Sequence, residues 1–456
     1  MLKKAGLDVE ELKNFRPVSN LPFMGKIIER AAVSQFQAYM RENDLYTKNQ
    51  SAYRRFHSVE TALVKVNNDL LKAVDEHGEA VLVLLDMSAA FDTVDHNVML
   101  RRLQDRYGVN GTAHRWFASY LCNRQQSVLI DCEQSDPTTI SFGVPQGSVV
   151  GPEMFIAYSA PIEDIINAHN LCSMSYADDT QIYVLIKPPD RVSKMSKLEE
   201  CICDIQTWLT ENKLMLNASK TELLHVKSCY ARAEPRDVTL TIGTTTISPS
   251  LVVRDLGVVF DKHLKMVNHV NGICRRASYA IYKIGKLRRY LDSGNTQKLV
   301  HAFISSRLDN CNSILAGLPC KELSKLQRVQ NMAARVVTLS RKSTHITPVM
   351  QELHWLPIRQ RIVYKILLLT YKILVGEAPA YLSDLVSRYN PKRTLRSSSR
   401  ALLSEKPCKT TTYGRSFSNV APKLWNALPD NLRMSRTLTN FKSGLKTHLF
   451  KIAYDV

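Results

Sequence analysis

SYADDTQIYV, residues 175–184, sets two adjacent carboxylates, Asp178 and Asp179, between two β-prone runs. Side by side at neutral pH they repel each other unless something positive sits beside them. Asp-Asp is also common in turns, where the side chains bond local backbone N–H groups. The pair alone therefore leaves a hairpin turn and a metal site both open.

Working outward, VLVLLD at 81–86 is apolar on both faces and ends in a carboxylate. Such a run predicts a central strand covered on each side, with Asp86 leaving the core to face a cleft. If that strand pairs beside the hairpin carrying Asp178 and Asp179, the carboxylates meet within one sheet spacing, about 5 Å. Hard oxygen ligands in this number suit Mg²⁺. Two ions about 4 Å apart would activate an attacking hydroxyl and stabilise the leaving oxygen of a displacement at phosphorus.

The surrounding pattern is α+β. Helical spacing is read over 23–41, 58–77, 95–123, 152–169 and 195–213, with a hairpin from 126–131 and 138–142 and short strands at 223–226 and within 237–260. In GVPQGS at 143–148, two glycines and a proline predict a rigid turn that brings backbone close to a ligand. Beyond Asp261 the chain turns helical, over 295–316, 321–340 and 358–376 among others. From Val267 to Leu291 an apolar stripe runs beside Arg275, Arg276, Lys283, Lys286, Arg288 and Arg289, a face suited to phosphates. A basic linker follows from Tyr389, then a helical tail at 441–453.

At 456 residues and 45% apolar content, the chain can build two or three cores. No stretch nears the roughly 18 apolar residues that span a bilayer, and MLKKAGLDVEELKNF lacks the apolar centre of a secretory signal. The reading is intracellular, in nucleus or cytoplasm. The ten cysteines form no CxxC pair and are read as reduced thiols. The net charge of +19 is uneven: −5 over residues 1–250 and +24 over 251–456. That asymmetry points to a polyanion held by the second half.

Taken in order, FRPVSNLPF, QSAYRRFHSVETAL, LDMSAAFD, GVPQGSVVGP, YADD, WLTENKLMLNASKTE and VRDLGV resemble the motifs of reverse transcriptases of non-LTR (LINE-type) retrotransposons, in their jockey-like and chicken-repeat branch. The resemblance implies a right-hand polymerase, with fingers and palm over 1–262 and a helical thumb and C-terminal region over 263–388. Residues 389–456 are left as a linker and tail of unknown role.

The resemblance also implies roles. Asp86 and Asp178 would hold two Mg²⁺ ions, with Mn²⁺ a substitute, Asp179 would support them, and the Met87 carbonyl would join the triphosphate-side ion. Lys220 would protonate the leaving pyrophosphate, and Phe91 would exclude a ribose hydroxyl. Pro145, Gln146 and Gly147 would meet the template and incoming base pair, with Tyr176 and Ala177 near the primer end. Arg54, with Arg16 and Lys4, would clamp the triphosphate. The implied partners are an RNA template, a DNA primer or target DNA, and dNTPs, with no membrane.

Some positions depart from the family pattern. Ala89 stands where Lys is common and Val150 where Leu is, and Glu153 replaces an apolar residue, which predicts weaker packing behind the site. Full elements carry an apurinic-type endonuclease ahead of the polymerase, and none precedes Met1, so the expectation is a chain lacking it. Two rival readings are an RNA-dependent RNA polymerase, disfavoured by Phe91 and PQG, and a decayed or domesticated remnant that only binds RNA.

Overall fold

Two helices, α1 (Phe23–Glu42) and α2 (Val59–Glu76), lead into the strand β1 (Glu79–Leu85). α2 begins where the Ser58 hydroxyl accepts the Thr61 N–H at 3.2 Å, satisfying one of the free donors of its first turn. The helices α3 (Gly151–Ser159) and α4 (Pro161–Ala168) precede β2 (Cys172–Tyr176) and β3 (Asp179–Ile186). α5 (Arg191–Glu211) then returns the chain to β4 (Glu222–Lys227). The four strands form one antiparallel sheet in the order β4-β1-β3-β2. In this computed structural model residues 19, 21–76, 78–87, 91–130, 132–187, 189–229, 238–390 and 401–455 are described in full, with the backbone alone at 2–3, 15–16, 88 and 188. Lys4 and Ala89 lie outside the described residues, and Arg16 is seen only as strand backbone opposite Leu2.

β1 sits at the centre of the sheet for the reason its sequence gives. Val81, Val83 and Leu85 enter one apolar core with Phe155 of α3 and Ile205 of α5. Ala80 and Leu82 enter the other with Leu63 and Leu70 of α2. Each side chain flips face from its neighbour, and a strand buried on both sides needs apolar residues at every position.

After β4 a hairpin, β5 (Val252–Asp255) and β6 (Val258–Asp261), leads into helices. These include α6 (Val267–Leu287), α7 (Cys320–Thr338), α8 (Ile358–Leu374), α9 (Phe417–Asn426) and α10 (Leu438–Tyr454). α6 buries Val270, Ile273, Ala277, Ile281 and Ile284, the stripe its spacing predicts. The helix expected over 295–316 is broken into Ser293–Val300, a π turn, a short helix Ser306–Asp309 and a 3-10 turn Asn312–Leu315. Cys311 ends the run at φ +51°, a left-handed conformation that α-helices use to stop. No helix among the described residues is long and apolar enough to cross a membrane.

The second face of the sheet and the C-terminal helices share one continuous core, from Leu82 and Phe260 through Val270, Leu326 and Ile366 to Phe417. The last stretch also reaches back to α2. Ser418 N–H donates to Asn68 Oδ1 at 3.0 Å, and the N–H groups of Lys409 and Thr410 donate to the Asp75 carboxylate at 3.3 and 2.7 Å. α9, with Pro422 inside it, lies in the stretch from Tyr389 that the sequence reads as a linker.

At the end of the sheet away from Asp86, Glu79 is buried between Arg191 and His225. Arg191 donates two hydrogen bonds to it at 2.8 and 2.9 Å, and His225 Nε2 lies 2.8 Å from Oε2. Burial pushes the Glu79 carboxyl up, but the bonds from His225 and Arg191 outweigh it and hold the pKa at about 2.

Candidate active site

The strand register builds the site. Leu85 pairs with Thr180, so one further step along both strands sets Asp86 beside Asp179. Residues directly opposite on a sheet project to the same face. A cleft of about 410 Å³ opens there, lined by Asp86, Asp179, Lys220, Arg254 and Asp255 among others. Crowding by protein comes first, and the carboxylates of Asp178 and Asp86 second and third, in raising the Asp179 pKa to about 6. Among the described residues no three His, Cys, Asp or Glu side chains form a ready-made cation cage. A Mg²⁺ ion does not need one, since it keeps waters and is bound through one or two carboxylates plus substrate phosphates.

Lys220 is carried to this cleft by a second pairing. Met215–Leu216 runs antiparallel to Met87–Ser88, and Asn217 N–H donates to the Asp86 carbonyl at 2.9 Å. The turn at 217–221 then places Lys220 Nζ 3.3 Å from Asp86 Oδ2, with the ammonium well exposed. LNASKTE is thus a device for presenting one lysine to one aspartate.

Asp178 and Ala177 form the two-residue turn between β2 and β3, closed by the pair Tyr176 and Asp179. Ala177 takes φ +59°, the left-handed region. For a residue with a Cβ this costs roughly 1–2 kcal/mol.

The loop at 143–148 is laid against the residues that follow Asp86. Val144 N–H donates to the Phe91 carbonyl at 2.8 Å and Gly143 N–H to the Val94 carbonyl at 2.7 Å. A Cβ on Gly143, which has φ +83°, would lie 2.8 Å from the Asp92 carbonyl oxygen, so glycine is required. Gln146 is aimed by its side-chain bonds to Asp92. Phe91 is half-buried and stacks on Phe155 of α3 with ring centroids 4.6 Å apart. The 143–148 loop is thus fixed to residues 91–94 by backbone and side-chain bonds between two sequence motifs.

Arg54 lies differently from the triphosphate clamp that the resemblance implied. Its Nη1 donates to the carbonyls of Thr47 and Gln50 at 2.6 and 2.8 Å, and the guanidinium lies 4.7 Å from the Tyr46 ring centroid. Glu153 is buried without being an orphan, since Tyr46 donates to Oε2 at 3.0 Å and the Gln37 amide to Oε1. Burial still raises its pKa.

On α6 and the turn after it, Arg275, Arg276, Lys283, Lys286 and Arg289 are exposed. Tyr279, Tyr282 and Tyr290 stand among them, also exposed, with Lys283, Lys286 and Arg289 within 5.4, 4.6 and 4.6 Å of their ring centroids. Arg288 instead donates to the carbonyls of Val336 and Val337 at 3.0 Å, tying the end of α6 to α7.

Sequence reasoning passed over Asp92, Arg254 and Asp255, though all three sit inside quoted motifs. Asp255 is buried and accepts from Gln181 Nε2 at 2.6 Å. Burial, then the Asp179 charge, raises its pKa to about 8. Among the described residues, its Oδ2 and the Gln181 Oε1 are buried without a hydrogen-bond partner. Gln50 was missed as well, because nothing in QSAYRRF marks it as a neighbour of YADD.

Residues 2–260 match the reverse transcriptase (RNA-dependent DNA polymerase) family, and the chain belongs to that family. Over 360 residues it is 26% identical to the probable RNA-directed DNA polymerase from transposon BS of Drosophila melanogaster, covering 74% of this chain and 38% of that protein. Over 279 residues it is 26% identical to the RNA-directed DNA polymerase from mobile element jockey of Drosophila melanogaster, covering 60% and 30%. These relatives agree with the jockey-like resemblance of the motifs, and the chain spans well under half of their length. Among solved structures, telomerase from Candida tropicalis in complex with a TWJ fragment of telomeric RNA aligns over 92% of this chain and 56% of that one, with 11% identity and a TM-score of 0.42. Reverse transcriptases use divalent metal ions.

Proposed function

We propose that this chain extends a DNA 3′ end on an RNA template, as the polymerase part of a non-LTR retrotransposon protein. The observation that carries the reading is the meeting of Asp86, the Asp178-Asp179 turn and Lys220 at one end of one sheet. The carboxylates fit a divalent cation, because the burial and then the mutual repulsion that raise the Asp179 pKa are what a cation relieves. Two Mg²⁺ ions, with Mn²⁺ a substitute, would supply activation of the primer 3′-hydroxyl and neutralisation of the leaving pyrophosphate.

The chain's own residues do the rest. Asp86 and Asp178, with Asp179 in support and the Met87 carbonyl alongside, would hold the metal. Lys220 gives a proton to the departing pyrophosphate oxygen, and its exposed ammonium 3.3 Å from Asp86 suits that task. Phe91 closes the space at the sugar C2′ position. Pro145, Gln146 and Gly147 bear on the template and incoming base, with Tyr176 and Ala177 at the primer end. In this reading residues 1–262 are fingers and palm and 263–388 thumb and helical region. Arg275, Arg276, Lys283, Lys286 and Arg289 meet phosphates of the template and primer without reading bases. The protein works on nucleic acid inside the cell, in nucleus or cytoplasm.

The test is extension of oligo(dT) on poly(rA) with dTTP and Mg²⁺, beside Asp178→Asn and a chelator control. Extension that both controls abolish supports the reading. RNA binding by a folded chain that never extends would reject it in favour of a domesticated remnant.

A further inference from the structure

Ala177 holds a strained conformation between the two carboxylates of the turn and its own strand, so something must hold it there. That something is Gln50. Its side chain is only 4% exposed and pairs with both backbone groups of Ala177. Ala177 N–H donates to Gln50 Oε1 at 3.0 Å, and Gln50 Nε2 donates to the Ala177 carbonyl at 3.3 Å. The backbone on either side of Gln50 is zipped onto β2: Ser51 N–H donates to the Ser175 carbonyl and Ser175 N–H to the Asn49 carbonyl, both at 2.9 Å.

Gln50 is in turn fixed from two directions. Arg54 grips its carbonyl and that of Thr47. From the far side, Tyr381 in the short helix Ala380–Ser383 sets its hydroxyl 2.8 Å from Ser51 Oγ and donates to Thr61 Oγ1 at 2.9 Å. Tyr381 is buried and lies 330 residues along the chain from Ser51. A residue of the C-terminal helical region thus touches the segment that holds the turn.

We propose that Gln50 is a positioning residue that fixes the Ala177-Asp178 turn, with Arg54 and Tyr381 as its supports. The proposal rests on the reading of Asp178 and Asp179 as metal-holding carboxylates in one respect only, its effect on rate. Without Gln50 the Ala177 peptide loses both partners and is free to leave φ +59°. Rotation there swings Asp178 and Asp179 away from Asp86, and a misplacement of about 1 Å costs on the order of a hundredfold in rate. Arg54 on this account acts on phosphate only indirectly, through the turn.

The test uses the full chain with Gln50→Met, which keeps side-chain length and removes both bonds, and Gln50→Glu, which keeps an acceptor for the Ala177 N–H. Two quantities are read: amide hydrogen exchange over residues 174–180, and the single-turnover rate of dTTP addition against its KM. Gln50→Met is expected to speed exchange at the turn and to lower the rate roughly ten- to hundredfold with KM within about twofold. Glycine adopts positive φ without strain, so Ala177→Gly added to Gln50→Met is expected to recover part of the rate. Tyr381→Phe is expected to give the same pattern in weaker form. If Gln50→Met unfolds the chain, Gln50→Glu supplies the same readings. Unchanged exchange at the turn in a folded Gln50 variant overturns the proposal. Should the unmodified chain prove unable to extend a primer, the exchange measurement alone decides, so the two readings fail separately.

Discussion

The Gln146 amide nitrogen lies 3.0 and 3.1 Å from the two carboxylate oxygens of Asp92, six residues past Asp86, and this contact joins the segment that follows β1 to the loop at 143–148. A hydrogen bond to a charged group contributes about 1.5–3 kcal/mol. Asp92→Ala is therefore expected to lower kcat/KM for a templated nucleotide by roughly ten- to hundredfold. Metal dependence should be unaltered, and steady-state kinetics across Mg²⁺ concentrations checks both.

Phe91 stacks on Phe155, which is itself fully buried in α3. If Phe91 is the proposed gate, Phe91→Ala is expected to raise ribonucleotide use relative to deoxynucleotide use by about tenfold or more. Phe155→Leu leaves the Phe91 ring in place but unsupported, and a smaller change of the same sign is expected. Paired kinetics with a dNTP and its rNTP measure the ratio, and an unchanged ratio in Phe91→Ala would remove the gate from the mechanism.

The cations of α6 divide into two kinds. Arg275, Lys283, Lys286 and Arg289 are exposed, and replacing each with Gln is expected to flatten the slope of log affinity against log salt by roughly 1 per lost phosphate contact. Arg288 caps carbonyls of α7, so Arg288→Gln is expected to lower the melting temperature and leave the salt slope alone. Tyr279→Ala and Tyr282→Ala remove rings but no charge. A loss of affinity with an unchanged slope would assign those rings to base or sugar contact.

Glu79 ionises at about 2 in the folded chain against an ordinary 4.5. Its contribution to stability is complete above pH 4.5 and is lost as the pH falls from there through 2, because the unfolded chain binds the proton first. Denaturant unfolding followed from pH 6 to pH 2 is expected to show a fall that Glu79→Gln flattens. At neutral pH the same substitution removes the charge that Arg191 and His225 share and is expected to lower stability there as well.

Much of this arrangement was legible in the sequence. The run VLVLLD announced a strand covered on both faces because alternate positions were all apolar, and the carboxylate closing it marked where that strand leaves the core. Lys220 and Phe91 were found only through the resemblance, since an exposed lysine and a single phenylalanine carry no local signal. Gln50 and Tyr381 left no trace, because their partners are backbone atoms and hydroxyls supplied by remote segments. Arg54, read as a triphosphate clamp, and Arg288, read as part of a phosphate-facing stripe, gave no sign of their carbonyl partners for a related reason: an arginine bound to carbonyl oxygens has no acidic residue at helical spacing to betray it. α9 falls within the stretch read as linker, and Pro422 inside it gives no local sign of a helix; packing against α2 and α8 holds it.

The core that begins under the sheet at Leu82 does not stop at the last recognisable motif but runs on through α6, α7 and α8 to Phe417. A frameshift just after Asp261 would spare every carboxylate of the site and still leave half of that core without its other half. The fold of the site therefore depends on helices well past the last recognisable motif, quite apart from any residue there that touches nucleic acid.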